Sequence, residues 1–328
     1  MLFKSLILRL VGGLIAVVML VAVGVNKTES YDVRDPEHCR LHFSVLSDSH
    51  IEGNNTPRYK AFAQSLQNVK KNRSGNDAVV FLGDNTMNGQ NIENLLFHGT
   101  AELYLRGETI LPVIGNHDLG NGNGQGRKLE KRWLDYTAAF FGRQLEHPYY
   151  YEVIDGCYFI VLGIEALQDD DETVTTEAQI AWLEDVLAKA AESGKPAFVF
   201  SHYPMDYAED ETGLSTDRLV DLLAAYAEAH DVFAFVGHTH MPLHLFWSFH
   251  DYDGFPEIYL PRLTELYGSE DREYGSGTGV GIEVEVYENE VLIRGRNFVT
   301  GEWYRDTWED DEPLCEMTYP LQHSFSAQ

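Results

Sequence analysis

The sequence predicts an α/β layered fold, on three observations. Short apolar runs alternate with amphipathic stretches at helical spacing through the first two thirds of the chain. The final third is almost all strand-like, with Val, Ile, Tyr and Phe between turn residues. The chain has 328 residues, 44% of them hydrophobic, which is enough for one substantial core.

Each element follows in order. "LHFSVLS" (41–47) reads as a short buried strand, and "PRYKAFAQSLQNVKKN" (57–72) as a helix with Pro57 near its start. "DAVVFLG" (77–83) is a strand, "NIENLLFHGTAELY" (91–104) a helix and "TILPVIG" (109–115) a third strand. Residues 148–163 form two strands turning at Asp155-Gly156, a hairpin signal. "TTEAQIAWLEDVLAKAAESG" (175–194) opens on threonine caps, carries Ile180, Leu183 and Leu187 on one face and stops at Gly194. "PAFVFSH" (196–202) is a strand, 215–230 a helix and "VFAFVGHTH" (232–240) a strand. Beyond it come "HLFWSFHD", "PEIYLP", "GVGIEVEVYENEVLIRGRNF" and "TGEWY", all β. We expect one domain over 41–310, preceded by an N-terminal segment (1–30) and a linker (31–40) and followed by a tail (311–328).

The N-terminal segment has Lys4 and Arg9 and then an apolar run of 16 residues, Leu10–Val25. With Arg9 snorkelling, the run extends back to Leu6 and reaches 20 positions, enough to cross a bilayer. The small-x-small pattern at Ala22-Val23-Gly24 is weak, so an uncleaved membrane anchor is favoured over a cleaved signal. In either case the positive-inside rule places the rest of the chain outside the cytoplasm, anchored or secreted. Lys+Arg 24 against Asp+Glu 52 gives a net charge of -28, which argues against a nucleic-acid-binding surface. Cys39, Cys157 and Cys315 are too scattered for a zinc motif; they are free thiols or, outside the cell, allow one bridge between Cys39 and Cys315.

Five predicted strands carry polar residues just past their C-terminal ends: Asp48 and His50, Asp84, Asn116 with His117 and Asp118, His202, and His238 with His240. In open α/β sheets ligand sites gather at that edge. Carboxylates and imidazoles suit first-row divalent metals, and without thiolates a closed structural zinc site is not expected. Seven candidate ligands exceed what one ion takes, so the pattern points to two metals about 3.5–4 Å apart, bridged by a carboxylate. Taken singly each motif has a plainer reading: a capped turn for "GNHD", a hydrogen-bonded core histidine for His202, a solvated carboxylate for Asp48. The coincidence of all five at strand ends decides for a metal site.

In this order, "DSH" (48–50), "GD" (83–84), "GNHD" (115–118), "SH" (201–202) and "GHTH" (237–240) resemble the signature of the calcineurin-like metallophosphoesterase superfamily, over roughly 41–304. The resemblance implies a β-sandwich of two mixed sheets flanked by helices. It implies that Asp48, His50, Asp84 and His240 bind one divalent metal (Mn, Fe, Zn or Co). Asp84 would bridge to a second, completed by Asn116, His202 and His238. His117 would contact the scissile phosphate and protonate the leaving oxygen, with Asp118 orienting and charge-tuning it. Asn85 either contacts substrate or shapes the turn. The implied reaction is attack of metal-bound hydroxide on a small phosphate mono- or diester. A non-catalytic surface binding or scaffold protein that kept the fold is the alternative, though such members usually lose ligands that are all present here.

Two departures narrow the likeness. Met87 stands where purple acid phosphatases have a metal-binding tyrosine, and the paired arginines of the serine/threonine phosphatases are not placed. Small bacterial phosphohydrolases are the nearest type. Substrate choice is expected in the loops: "LGNGNGQGRK" (119–128), with Arg127 and Lys128 as phosphate contacts or a plain connector; "EGNNTPRY" (52–59); and "YPMDYAEDETG" (203–213), where Tyr203 stacks on a ligand or simply packs.

Overall fold

The computed structural model describes residues 2–26, 28–122, 124–166, 172–173, 175–206, 216–252, 254–264, 278–306, 309 and 311–323. The elements are α1 (Leu2–Val23), β1 (Leu41–Leu46), α2 (Thr56–Val69), β2 (Ala78–Leu82), α3 (Asn91–Tyr104), β3 (Thr109–Val113) and α4 (Gly126–Phe141). They continue with β4 (Tyr150–Ile154), β5 (Cys157–Val161), β6 (Glu165–Ala166), β7 (Glu172–Thr173), α5 (Glu177–Ser193), β8 (Ala197–Ser201), α6 (Thr216–Ala227) and β9 (Val232–Val236). The C-terminal strands are β10 (Phe249–Tyr252), β11 (Phe255–Tyr259), β12 (Val280–Val286), β13 (Glu290–Asn297), β14 (Glu302–Trp303) and β15 (Glu316–Pro320).

Two mixed sheets face each other. The first has the order β14-β13-β12-β1-β2-β3, with β15 also on β13, and the second β10-β11-β9-β8-β5-β4. In the first, β1, β2 and β3 are parallel and β12 joins β1 antiparallel. In the second, β5, β8, β9 and β11 are parallel between antiparallel β4 and β10. The expected sandwich flanked by helices is the architecture found.

Strand alternation builds three cores. Phe43 and Val45 of β1 point between the sheets, as do Val80 and Leu82 of β2 and Phe233 and Phe235 of β9. There Phe43 meets Phe159 and Phe198 edge to face, with ring centroids 4.9 and 5.0 Å apart. Their neighbours Leu46, Val79 and Phe81 point outward under α2 and α3, and Val232, Ala234 and Val236 under α5 and α6. Both faces being covered, the strands read as continuous apolar runs.

The structure adds elements that pattern reading did not place. Residues 129–147 carry no sequence assignment, yet α4 buries Leu129, Trp133, Tyr136, Thr137 and Phe140 along one side and ends at Gly142 in the left-handed region. The charges of Arg127, Lys128, Glu130, Lys131 and Arg132 around Leu129 obscure that periodicity. β15, inside the expected tail, pairs with β13. Residues expected as a linker pack on β12 and β13: Tyr31 donates to Glu283, Arg34 N–H to Glu285, and the Arg296 guanidinium lies 3.5 Å from the Tyr31 ring centre. All three cysteines are free.

Candidate metal centre

Five strands of two sheets end together. The loops after β1, β2 and β3 meet those after β8 and β9, and their backbones interlock: His50 N–H donates to Asp84 O at 2.8 Å and Gly237 N–H to His202 O at 3.1 Å. Asp48, His50, Asp84, His238 and His240 all lie at φ between 41° and 63°. That left-handed region is costly for residues with a Cβ and is kept only where surrounding structure enforces it. Here it turns each side chain back across its strand end. Two glycines are fixed by the same crowding. A Cβ on Gly115 would lie 2.2 Å from Asp84 N, and one on Gly237 2.2 Å from Ser47 Oγ and 2.8 Å from Asp48 Oδ2.

One ligand atom from each of Asp48, His50, Asp84 and His240 lies within 4.8 Å of the others. His240 Nε2 is 3.0 Å from Asp48 Oδ1, and His50 Nε2 is 3.2 Å from His240 Nε2 and 3.5 Å from Asp84 Oδ2. Asp84 also faces the other side: His202 Nε2 is 3.3 Å from its Oδ1 and 3.0 Å from Asn116 Oδ1. His238 stands against His202, ring centroids 5.1 Å apart. All seven sequence-predicted ligands therefore converge, with Asp84 between the two groups.

The donor set fits divalent cations. His202 Nδ1–H donates to Leu82 O at 2.8 Å, which fixes the ring with Nε2 toward Asp84 and Asn116. Asn116 Nδ2 donates to Asn121 Oδ1 at 3.0 Å, so its carbonyl oxygen points inward. Burial lowers His50 and His238 to about 4, keeping both imidazoles neutral. Burial would raise Asp48, but the adjoining imidazoles of His240, His50 and His202 hold it well below the usual carboxylate range. His202 would be lowered by burial, yet Asp84 raises it to about 9. Two buried carboxylates are thus a sink for positive charge, which the His202 imidazolium meets only in part.

The neighbouring residues are placed with equal definition. His117 N–H donates to Asp84 Oδ1 at 2.8 Å, its Nδ1 bonds Met87 O at 2.9 Å, and its partly exposed Nε2 stands 4.0 Å from Asp84 Oδ2. The expected contact between Asp118 and His117 is replaced by another arrangement. Asp118 accepts from Asn85 N–H and Nδ2, Gly115 N–H, and Thr86 N–H and Oγ1, so it braces the β2 and β3 loops against each other. Burial first, and the Asp84 charge second, raise Asp118 to about 6. Asn85 donates from Nδ2 to Val113 O and Asp118 and shapes the turn. Tyr203 is buried against the His238 ring, centroids 4.4 Å apart, and packs there. Asn55 caps α2 through Arg58 N–H, and Lys128 begins α4 and bonds Gln125. Residues 207–213 of the third candidate wall lie outside the described residues.

Sequence reasoning missed Leu82 and Met87, which act through carbonyls and leave no side-chain signal. It missed Asn121, one of two Asn among glycines. It also missed Arg262, whose charge reaches His50 and lowers it, and Glu257, whose carboxylate accepts from Met205 N–H at 2.7 Å and holds the loop after His202.

Fold and site together define a metal-dependent phosphoester hydrolase. The model of the calcineurin-like phosphoesterase family matches residues 41–242, and the chain belongs to that family and is a hydrolase of phosphoric ester bonds. A curated relative from Arcobacter nitrofigilis, named "Probable glycerophosphodiester phosphodiesterase GpdQ", is 27% identical over 219 residues, 62% of this chain and 73% of the relative. Two solved structures share the fold. A dimetal phosphatase from Danio rerio is matched over 87% of this chain and 100% of that one, at 17% identity and TM-score 0.54. A purple acid phosphatase from yellow lupin (Lupinus luteus) seeds is matched over 85% of this chain and 53% of that one, at 14% identity and TM-score 0.55.

Proposed function

We propose that the protein is a dinuclear metal-dependent phosphodiesterase acting on a small phosphodiester. The observation that carries this reading is the position of Asp84, with His50 at 3.5 Å from one oxygen and His202 at 3.3 Å from the other. Asp48, His50, Asp84 and His240 would hold one cation, and Asp84, Asn116, His202 and His238 the second. Two such cations supply Lewis-acid polarisation of phosphoryl oxygens and lower the pKa of water.

The protein's own residues supply the rest. The Nδ1 bond of His117 to Met87 O directs Nε2 outward past Asp84, where an imidazolium can donate to the leaving oxygen. The bond from His117 N–H to Asp84 ties that donor's position to the bridging carboxylate. Arg262 adds positive charge that reaches His50. The relative's name supports a diester over a monoester.

The test strips the protein of metal, reloads it with Mn²⁺, Zn²⁺ or Fe²⁺, and compares bis-p-nitrophenyl phosphate with p-nitrophenyl phosphate. Metal-restored turnover, faster on the diester and lost about 10²–10⁴-fold in His117→Ala, is the expected result. Faster turnover of the monoester overturns the diester assignment. Failure to bind two cations per chain overturns the dinuclear centre.

A further inference from the structure

The N-terminal helix does not project from the domain. One side of α1, with Ile15, Met19, Leu20 and Val23, packs on the core beneath α2 and α3. Gly12 passes so close to Gly99 that a Cβ there would lie 2.8 Å from Gly12 O. Arg9 donates from Nε to Ala139 O and from Nη2 to Phe140 O at 2.9 Å, and so caps the last turn of α4. It also stands 3.8 Å from Glu102. At the far end Gln64 and the Asn26 backbone exchange two hydrogen bonds. The helix is thus fastened along its length, and the one cation of its apolar run serves the domain.

The opposite side of α1 is apolar and has no partner among the described residues. Leu6, Leu10, Leu14, Val17, Val18 and Val21 recur at helical spacing and are 46–81% exposed. At the N-terminal end of this stripe Leu8 forms one wall of a cavity of about 230 Å³ whose other walls include Lys128, Lys131, Arg132 and Asp135 of α4. Lys128 and Arg132 donate to neutral oxygens, Gln125 Oε1 at 2.9 Å and Gly89 O at 2.6 Å, and neither forms an ion pair among the described residues. Lys131 pairs with Asp135 at 3.3 Å and is largely exposed. Three cations against one acid are conspicuous in a chain of net charge -28.

We propose that α1 stays docked and lies in the plane of a membrane surface, its outer stripe among the acyl chains and this cavity receiving the phosphate of an anionic phospholipid. If α1 crossed the bilayer while docked, it would draw Lys128, Lys131 and Arg132 into hydrocarbon, which is costly for each charge. An in-plane helix keeps them at headgroup depth, where basic residues are attracted to anionic lipid. The inference is independent of the phosphodiesterase reading.

The test uses the full chain with Cys39→Ser, carrying Leu10→Cys, Leu14→Cys or Val21→Cys singly and spin-labelled, on vesicles of phosphatidylcholine with phosphatidylglycerol. Equal, shallow depths at all three sites are expected. A spanning helix would separate Leu10 and Val21 by about 16 Å in depth, and that gradient overturns the proposal, as does absence of lipid contact. In a second arm, Lys128→Glu with Lys131→Glu should lower the preference for anionic over neutral vesicles by about tenfold or more. An unchanged preference overturns the headgroup site, and equal displacement by inorganic phosphate would assign the cavity to a free anion instead.

Discussion

Two buried polar clusters in this molecule use the same side chains to opposite ends. At the strand ends, Asp48, His50, Asp84, His238 and His240 stand on left-handed backbone around the buried His202. On the outer face of the first sheet, Glu283 and Glu285 sit among His42, Arg294 and Arg296 on regular β12 and β13. There both carboxylates are met by cations. His42 Nε2 lies 2.7 Å from Glu283, Arg294 donates to Glu285 from Nε at 2.8 Å, and Ser44 Oγ donates to Glu283 at 2.9 Å. Glu283 is held below the usual carboxylate range: burial opposes this, and His42 prevails. The outer cluster is closed by protein charges, whereas in the strand-end cluster burial keeps His50 and His238 neutral and His202 alone is raised by a carboxylate. Charge closure and backbone strain, more than residue type, separate a structural cluster from a metal centre.

Four experiments would break or sharpen that contrast. Asp84→Asn should abolish binding of both cations, measured by metal content, and lower turnover by at least about 10²–10⁴-fold. The metal-free variant should be less stable than metal-free wild type, because His202 loses the Asp84 charge, whose attraction outweighs the repulsion from Asp48. Glu283→Gln should affect stability alone. It should retain the metals and lose about 3 kcal/mol in urea unfolding, as His42 is left without its counter-charge.

The next effect separates two buried histidines by pH. His98 is fully buried among Phe97, Phe140 and Phe141, and burial lowers it to about 3. Its folded pKa lies below the unfolded value, so its contribution is present above about pH 6.5 and is lost as pH falls. Wild type should lose about 2 kcal/mol between pH 6.5 and pH 5 that His98→Leu keeps. His42 is raised: burial opposes this, but Glu283 outweighs it. Its contribution is therefore complete below about pH 6.5 and is lost as pH rises through the folded pKa, and His42→Gln should flatten that alkaline limb. Parallel slopes in calorimetric pH series would contradict both assignments. The smallest effect belongs to Asn121→Ala, which frees the Asn116 amide and should weaken cation affinity about tenfold in a chelator competition. An unchanged affinity would mean that Asn121 does not orient a ligand.

The strands and the candidate ligands were legible because both are local signals. A buried strand shows as an apolar run, and a ligand just past its end shows as an abrupt His, Asp or Asn, so "FAFVGHTH" announces β9, His238 and His240 together. The roles of Asp118 and Asn85 were not legible, since "GNHD" and "GD" say nothing of which loop the carboxylate will brace. α4 was hidden because its buried face, Leu129, Trp133, Tyr136 and Phe140, is interleaved with five charged residues within its first turns.

By itself the sequence determined the alternation of elements, the chemistry on offer at five strand ends and the apolar character of the first helix. Those properties depend on neighbours a few residues apart. Tertiary structure decided what depends on distant partners. It set Glu283 beside His42 across 241 positions of sequence, and Asp84 between His50 and His202. It also turned Arg9 from an interruption in an apolar run into the cap of α4. Periodicity records which face of an element is buried, but what that face meets is fixed only when the sheets close over each other.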